Sequence, residues 1–283
     1  MDNPTTVLLI VLFNKKPEDS TTLLSLLNCE INNIKIVIHN NGPELVVLSE
    51  NILKSFKQKQ IQYELVNFVS NKPLSVLYNE FIDSNPSCKV FVLLDDDSEI
   101  TQSYAESIKN FNHDLEVPRI VSKKDGVIYY PISNGKIITH DASLNVIGTH
   151  SIGSGLIISR NMISQFKSNK ITLFDENYAL YGVDVSLFRR MWLLTKKGIN
   201  FKVKTSSSIL HSLSRTEAKE TDFRRLERVI DFAITVRHYP TFRSYLSFCK
   251  RLLIQLSKMR FKDSITMITV FLRGKHPRCS KVK

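Results

Sequence analysis

Residues 90–100 read VFVLLDDDSEI, an apolar run that ends in three consecutive carboxylates, Asp95, Asp96 and Asp97. Carboxylate oxygens are hard ligands, the type that Mg2+, Mn2+ and Ca2+ prefer. Asp95 and Asp97, two residues apart, can both reach one divalent cation. Three like charges in a row repel one another, so a merely solvated turn rarely assembles them. The same stretch also allows a purely structural reading, because Ser103 and Glu106 have the spacing of a capping box at a helix start.

The elements that must position these carboxylates follow from hydrophobic periodicity. Val90–Leu94 is too short and too apolar for a surface helix and reads as a buried strand. Ligands in open α/β sheets bind beyond the carboxyl ends of the strands, where the aspartates stand. Upstream, residues 7–13 (VLLIVLF), 34–38 and 63–68 read as three further strands. Residues 18–27, 45–57 and 74–82 have helical spacing between them. This alternation predicts an α/β domain with a mostly parallel central sheet flanked by helices on both faces. Downstream the pattern is less regular. Short strands are expected at 127–131, 136–138, 156–159 and 199–203, and helices at 161–166 and 184–196, with His211 in a serine-rich loop.

Composition bounds the possibilities. The chain has 283 residues, 42% hydrophobic and 23% charged, which fits a globular protein with one large domain or two smaller ones. Its four cysteines are scattered, with no CxxC pair, which argues against a disulfide framework or a zinc site and suits a reducing compartment. Met-Asp-Asn-Pro lacks the basic start of a signal peptide, and no apolar run is long enough to span a bilayer. The net charge of +12 is uneven: residues 201–283 hold 19 Lys+Arg against 6 Asp+Glu, and residues 1–200 hold 20 against 21. The basic excess therefore lies entirely in the C-terminal part, where Phe242, Tyr245, Leu246, Cys249, Leu252, Leu253 and Leu256 recur at helical spacing. A basic amphipathic helix on an anionic membrane surface fits this pattern. Helices packed on the rest of the chain, with their charges solvated, fit it as well.

Several motifs fall in a telling order: Phe13-Asn14 at a strand end, Ile38-His39-Asn40-Asn41-Gly42, Asn71 through Asn79, Asp95-Asp96-Asp97-Ser98, then Phe174-Asp175-Glu176 followed by Tyr181-Gly182-Val183-Asp184 and Arg189. Over about residues 5–215 the chain resembles the family 2 glycosyltransferases, and within them the rhamnosyltransferase-like branch of bacterial surface-polysaccharide biosynthesis. Two positions depart from the family pattern. Asn40 stands where an aspartate usually contacts the nucleobase, and Pro73 replaces a glycine.

The resemblance implies a GT-A (Rossmann-like) fold over 1–215, with a nucleotide-sugar half at about 1–100, an acceptor half at about 101–215, and a basic helical extension over 216–283. It implies an inverting, metal-dependent transfer from a UDP- or dTDP-linked sugar to a glycan or lipid-linked oligosaccharide, as in O-antigen, capsule or lipopolysaccharide synthesis. Mg2+ or Mn2+ would be held by Asp97 with Asp95 and His211. Phe13, Asn14, Asn40, Asn71, Asp95, Asp96 and Gly155 would bind the donor, Gly155 within the Gly153-Ser154-Gly155 loop. Asp184, at a helix N-terminus that favours negative charge, would be the general base, although an N-cap role suits the same position. Asp175 and Glu176 fit an acceptor-side wall or a structural pair, and Arg215 fits a phosphate contact or a solvated charge. The implied location is cytoplasmic, peripheral on the inner face of the inner membrane.

Two other function classes compete. A sugar nucleotidyltransferase would need a glycine-rich phosphate loop after the first strand; Lys15 and Lys16 are there but the glycines are not. A non-enzymatic basic protein binding membrane or nucleic acid would explain the C-terminal part but not the aspartates. Nucleic acid is not expected as a partner.

Overall fold

The structure is a computed structural model that describes residues 4–213 and 221–280. Arg215 lies outside the described residues. Four parallel strands start the fold: β1 (Thr6–Leu12), β2 (Ile34–Asn40), β3 (Gln62–Asn67) and β4 (Val90–Asp95). They form half of an eight-stranded sheet, in the order β4-β1-β2-β3. Beyond β4 the sheet continues through Leu156–Ser159, Leu115–Glu116, Val203–Thr205 and Ala142–Leu144. Here the direction is mixed, because Leu156–Ser159 runs antiparallel to both of its neighbours.

Strand alternation divides the interior in two. Val7, Leu9 and Val11 of β1, with Phe91 and Leu93 of β4, point into one core; Leu8, Ile10 and Leu12, with Val92 and Leu94, point into the other. The helices α1 (Thr21–Leu27), α2 (Glu50–Gln58) and, further on, α4 (Gln102–Lys109) cover the second face. The first face is covered by α3 (Leu74–Asp83), α5 (Arg160–Ser168) and α6 (Val183–Lys196). Three C-terminal helices follow, Asp222–His238, Phe242–Ser257 and Phe261–Arg273. Val229, Ile230, Ala233, Ile234, Met267 and Val270 bury their side chains in the same core as α3 and α6, so this extension is docked onto the sheet.

Three expectations shift, each for a local reason. The helix expected from residue 45 starts only at Glu50, because Asn67 bonds both the N–H (2.9 Å) and the carbonyl (3.0 Å) of Val46 and Asn40 takes the carbonyl of Glu44. Those side-chain bonds hold the backbone out of a helix. The cap of α4 is Thr101, whose hydroxyl accepts from the Tyr104 N–H; Ser103 and Glu106 do not form the capping box. His211 is the last residue of a strand, Ser208–His211, in a separate four-stranded sheet, and not part of a loop. That strand pairs antiparallel with Glu99–Ile100, which Ser98 alone separates from the aspartates.

Candidate active site

The aspartates leave β4 in a turn that four residues on three segments grip. The Thr22 hydroxyl of α1 donates to the Asp95 carbonyl at 2.5 Å and accepts from the Ser98 N–H at 2.8 Å. Ser20, which caps α1, donates to the Asp96 carbonyl. Ser154, just before the Leu156–Ser159 strand, accepts from the Asp95 N–H and lies 2.8 Å from Ser98 Oγ. Lys123 donates to the Asp97 carbonyl at 2.6 Å. The three side chains are thereby sent to different places. Asp95 continues the odd-numbered face of β4 and looks into the first core's side. Asp96 is drawn back to Lys15 at 2.7 Å, an ion pair that closes the loop after β1.

Pairing of Ile209 and Leu210 with Ile100 and Glu99 brings His211 against the turn. Its Nδ1 lies 2.9 Å from Ser98 Oγ and 3.1 Å from Asp97 Oδ1, and its Nε2 lies 3.9 Å from Asp95 Oδ2. One ligand atom from each of Asp95, Asp97 and His211 falls within 4.8 Å of the others. Asp97 Oδ1 is buried and receives no aligned hydrogen bond, despite the nearby imidazole. A buried carboxylate oxygen whose nearest donor is misaligned is poorly satisfied in the interior. Its presence beside a second carboxylate and an imidazole is the donor set of a divalent cation such as Mn2+ or Mg2+.

The same three residues open onto a cavity of about 980 Å³, where Tyr78, Gly153, Asp184, Arg189, Trp192 and Asp231 also form walls. This is the upper end of the usual range for small-molecule sites. Asp95 is wetted inside the cavity but lies deep below the molecular surface. Burial, reinforced by Asp97 and Asp96 and opposed by His211, pushes its carboxyl up to about 6. Burial also raises Asp97, but His211, Lys15 and Lys123 outweigh it and leave that carboxyl below its ordinary value. Asp184 sits in the first turn of α6, with the left-handed Gly182 (φ +80°) as the cap. Burial, with Asp95 adding repulsion, pushes its carboxyl up to about 7. Gly153 is required here for space: a Cβ on it would lie 2.4 Å from Asp184 Oδ1.

The residues expected to bind the donor do not all meet the cavity. Asp95 lines it; Phe13, Asn14, Asn40, Asn71, Asp96 and Gly155 do not. Asn40 is almost fully buried, and its amide is consumed internally, donating to Glu44 O and Asn67 Oδ1 and accepting from the Gly42 N–H. Its role is to shape the Asn41-Gly42-Pro43 turn. Asn71, in the left-handed region at φ +53°, meets Asn41, and the Asn14 N–H donates to the Gly42 carbonyl at 2.7 Å. These three loops lock together at the carboxyl ends of β1–β3. Phe13 projects from them, half-exposed. Gly155 (φ +90°) is buried between Pro118 and Ile209, so the glycine facing the cavity is Gly153.

Asp175 and Glu176 are structural. Asp175 pairs with Arg190 at 3.0 Å and accepts from the Tyr239 hydroxyl at 2.8 Å; Glu176 accepts from Asn79. The residues that sequence reasoning missed come from the C-terminal extension, whose Arg228, Asp231, Phe232 and Arg251 line the cavity. Thr235 donates to Asp231 at 3.4 Å and accepts from Arg189 at 2.6 Å, tying that wall to α6. Only the register of the helix Asp222–His238 against α6 identifies Asp231; its sequence context, Val-Ile-Asp-Phe-Ala, is that of any amphipathic helix.

No protein-family model and no curated protein matches the sequence. Solved structures match its fold. The S. aureus TarS 1–349 fragment in complex with UDP superimposes with a TM-score of 0.56 at 12% identity, covering 97% of this chain and 82% of that one. Its complex with UDP-GlcNAc gives 0.54 at 11% identity, over 82% and 66% of the two chains. GalNAc-T7 with UDP, GalNAc and Mn2+ gives 0.52 at 13% identity, over 81% and 48%. The fold is GT-A. The chain spans 40% of the longer TarS structure. At these identities the likeness extends to the fold alone.

Proposed function

We propose that the protein is an inverting, metal-dependent glycosyltransferase that takes its sugar from a nucleotide-diphosphate donor, UDP- or dTDP-linked. The observation that carries this reading is the cluster of Asp95, Asp97 and His211 at the end of β4, opening on one cavity with Asp184. Nucleotide-bound GT-A neighbours support it. Asp95, Asp97 and His211 would hold Mn2+ or Mg2+, and such a cation supplies positive charge against a departing diphosphate. Asp184 accepts the proton of the acceptor hydroxyl as its oxygen bonds to the anomeric carbon and the bond to the diphosphate breaks. A carboxyl near 7 is suited to that task, because it is ionised enough to act and basic enough to take a proton. The loops carrying Phe13, Asn14 and Asn71 flank the nucleotide. The unit over 1–215 carries the chemistry, and 216–283 supplies the far wall of the cavity. The acceptor is a glycan or lipid-linked oligosaccharide of a bacterial surface polysaccharide, and the enzyme works as a family 2 transferase, cytoplasmic and peripheral on the inner membrane.

Replacement of Asp97 by Ala tests this. Loss of transfer and of donor hydrolysis, with the melting transition intact, is expected. Full activity in Asp97→Ala would end the metal assignment.

A further inference from the structure

Two successive C-terminal helices each turn an apolar stripe outward. In Phe242–Ser257 no side chain is buried. Its inner side rests on the molecule through Phe248 and Leu252. Phe242, Leu246, Cys249, Leu253 and Leu256 are spaced by four and three residues, and so share the opposite side. All five are exposed, Phe242 at 79% and Leu253 at 68%. The helix Phe261–Arg273 repeats the device with Phe261, Ile265, Ile268 and Leu272, the last 69% exposed. Its inner side carries the buried Met267 and Val270.

The charges follow the stripes. One position after a stripe residue stand Arg243, Lys250, Lys262 and Arg273, all exposed, on the same flank of each stripe. Arg260 joins them where the helices meet. Residues 239–280 contain a single acidic residue, Asp263, and it is buried against Arg225. The face is therefore apolar with a rim of one sign. A second copy docked stripe to stripe would bring like charges together, with no acidic partner at the flanking positions where helix pairs normally carry one. A surface that is apolar within and negative at its boundary fits both features.

We infer that the outer face of the helices Phe242–Ser257 and Phe261–Arg273 is a docking surface for an anionic lipid bilayer, with the two stripes entering the acyl boundary and the arginine and lysine rim meeting lipid phosphates. No helix among the described residues is long and apolar enough to cross a membrane, so the attachment is peripheral. Arg251, on the first of these helices, stacks 4.0 Å over Phe232, and both line the cavity. A docked molecule thus holds the cavity near the lipid surface. That last consequence rests on the transferase reading; the attachment itself does not.

Co-sedimentation of the full chain with vesicles tests the attachment. Mixed phosphatidylglycerol–phosphatidylcholine vesicles should bind it at least about tenfold better than phosphatidylcholine alone, and less as salt rises. Leu253→Asp with Leu272→Asp, and separately Arg243→Glu with Lys250→Glu, should each lower binding about tenfold while the melting temperature holds, since all four residues are exposed. Failure to pellet, or equal binding to both vesicles, overturns the proposal. So does a dimer by light scattering that Leu253→Asp returns to monomer while vesicles capture nothing. Nucleotide-induced stabilisation, measured on the same samples, reports separately on the transferase reading.

Discussion

A general base must be ionised to accept a proton, and the Asp184 carboxyl sits at about 7. Transfer should therefore rise as pH climbs through about 7 and level off above it, which a rate profile under donor saturation will read. Asp184→Asn should lower transfer by roughly 10²–10⁴-fold, the usual weight of general base catalysis. It should also stabilise the fold. The folded carboxyl holds its proton up to about 7, against an ordinary value of 3.8, so its favourable contribution is complete below 3.8 and lost as pH rises through 7. Above that, the wild type carries a partly buried charge, repelled by Asp95, that the amide lacks. Asp184→Asn should melt a few degrees higher at pH 8, with the gain shrinking toward pH 5. Gly153→Ala tests the same carboxylate by space: a Cβ 2.4 Å from Oδ1 must displace it. Catalytic turnover should fall while nucleotide affinity is kept. The pairing of Asp95 with Asp97 was legible in the sequence, because carboxylates at a strand end are a local signal; Asp184 and His211 were singled out only by the family resemblance, and His211 was expected in a loop. The destinations of Asp96, Asn40 and Gly155 were not, since Lys15, Asn67 and Pro118 reach them only through the tertiary fold.

At the scale of elements, the parallel strands β1, β2 and β4 follow from apolar runs buried on both faces, which read alike in any context, whereas β3 is a largely exposed edge strand. The strand Ser208–His211 does not announce itself. Its approach, Ser206-Ser207-Ser208, has loop composition, and its pairing with Arg119–Ser122 and Glu99–Ile100 is non-local. Glu116 sets its entry, accepting from the Ser206 N–H at 2.7 Å and the hydroxyls of Ser206 and Ser207 at 3.0 and 2.8 Å. Burial raises this carboxyl, but His113 and these serine donors outweigh it and hold it below its ordinary value. Glu116→Ala leaves buried donors without an acceptor, each costing about 1–3 kcal/mol. The variant should melt several degrees lower and bind Mn2+ more weakly, because His211 loses its anchor; calorimetry with and without the metal reads both effects.

At the scale of the molecule, the C-terminal extension belongs both to the core and to the cavity. The sequence shows its helices, charge and apolar spacing. It does not show that Val229, Ile230 and Ala233 share a core with α6 or that Asp231 lines the cavity together with Asp184, because one amphipathic helix has no record of its partner. A chain ending at residue 220 should lose cooperative melting and aggregate, since the core around α3 and α6 would be opened to water.

The central claim is that Asp95, Asp97 and His211 hold a divalent cation that helps seat a nucleotide-diphosphate sugar beside Asp184. Thermal denaturation with UDP- and dTDP-sugars, each with and without Mn2+, tests it most directly, because ligand binding to the folded state raises the melting temperature by mass action. We expect at least one nucleotide sugar to raise it by several degrees with Mn2+ present and far less without, and Asp97→Ala to remove the metal-dependent part. A melting temperature that no nucleotide diphosphate moves, with or without Mn2+, would contradict the account.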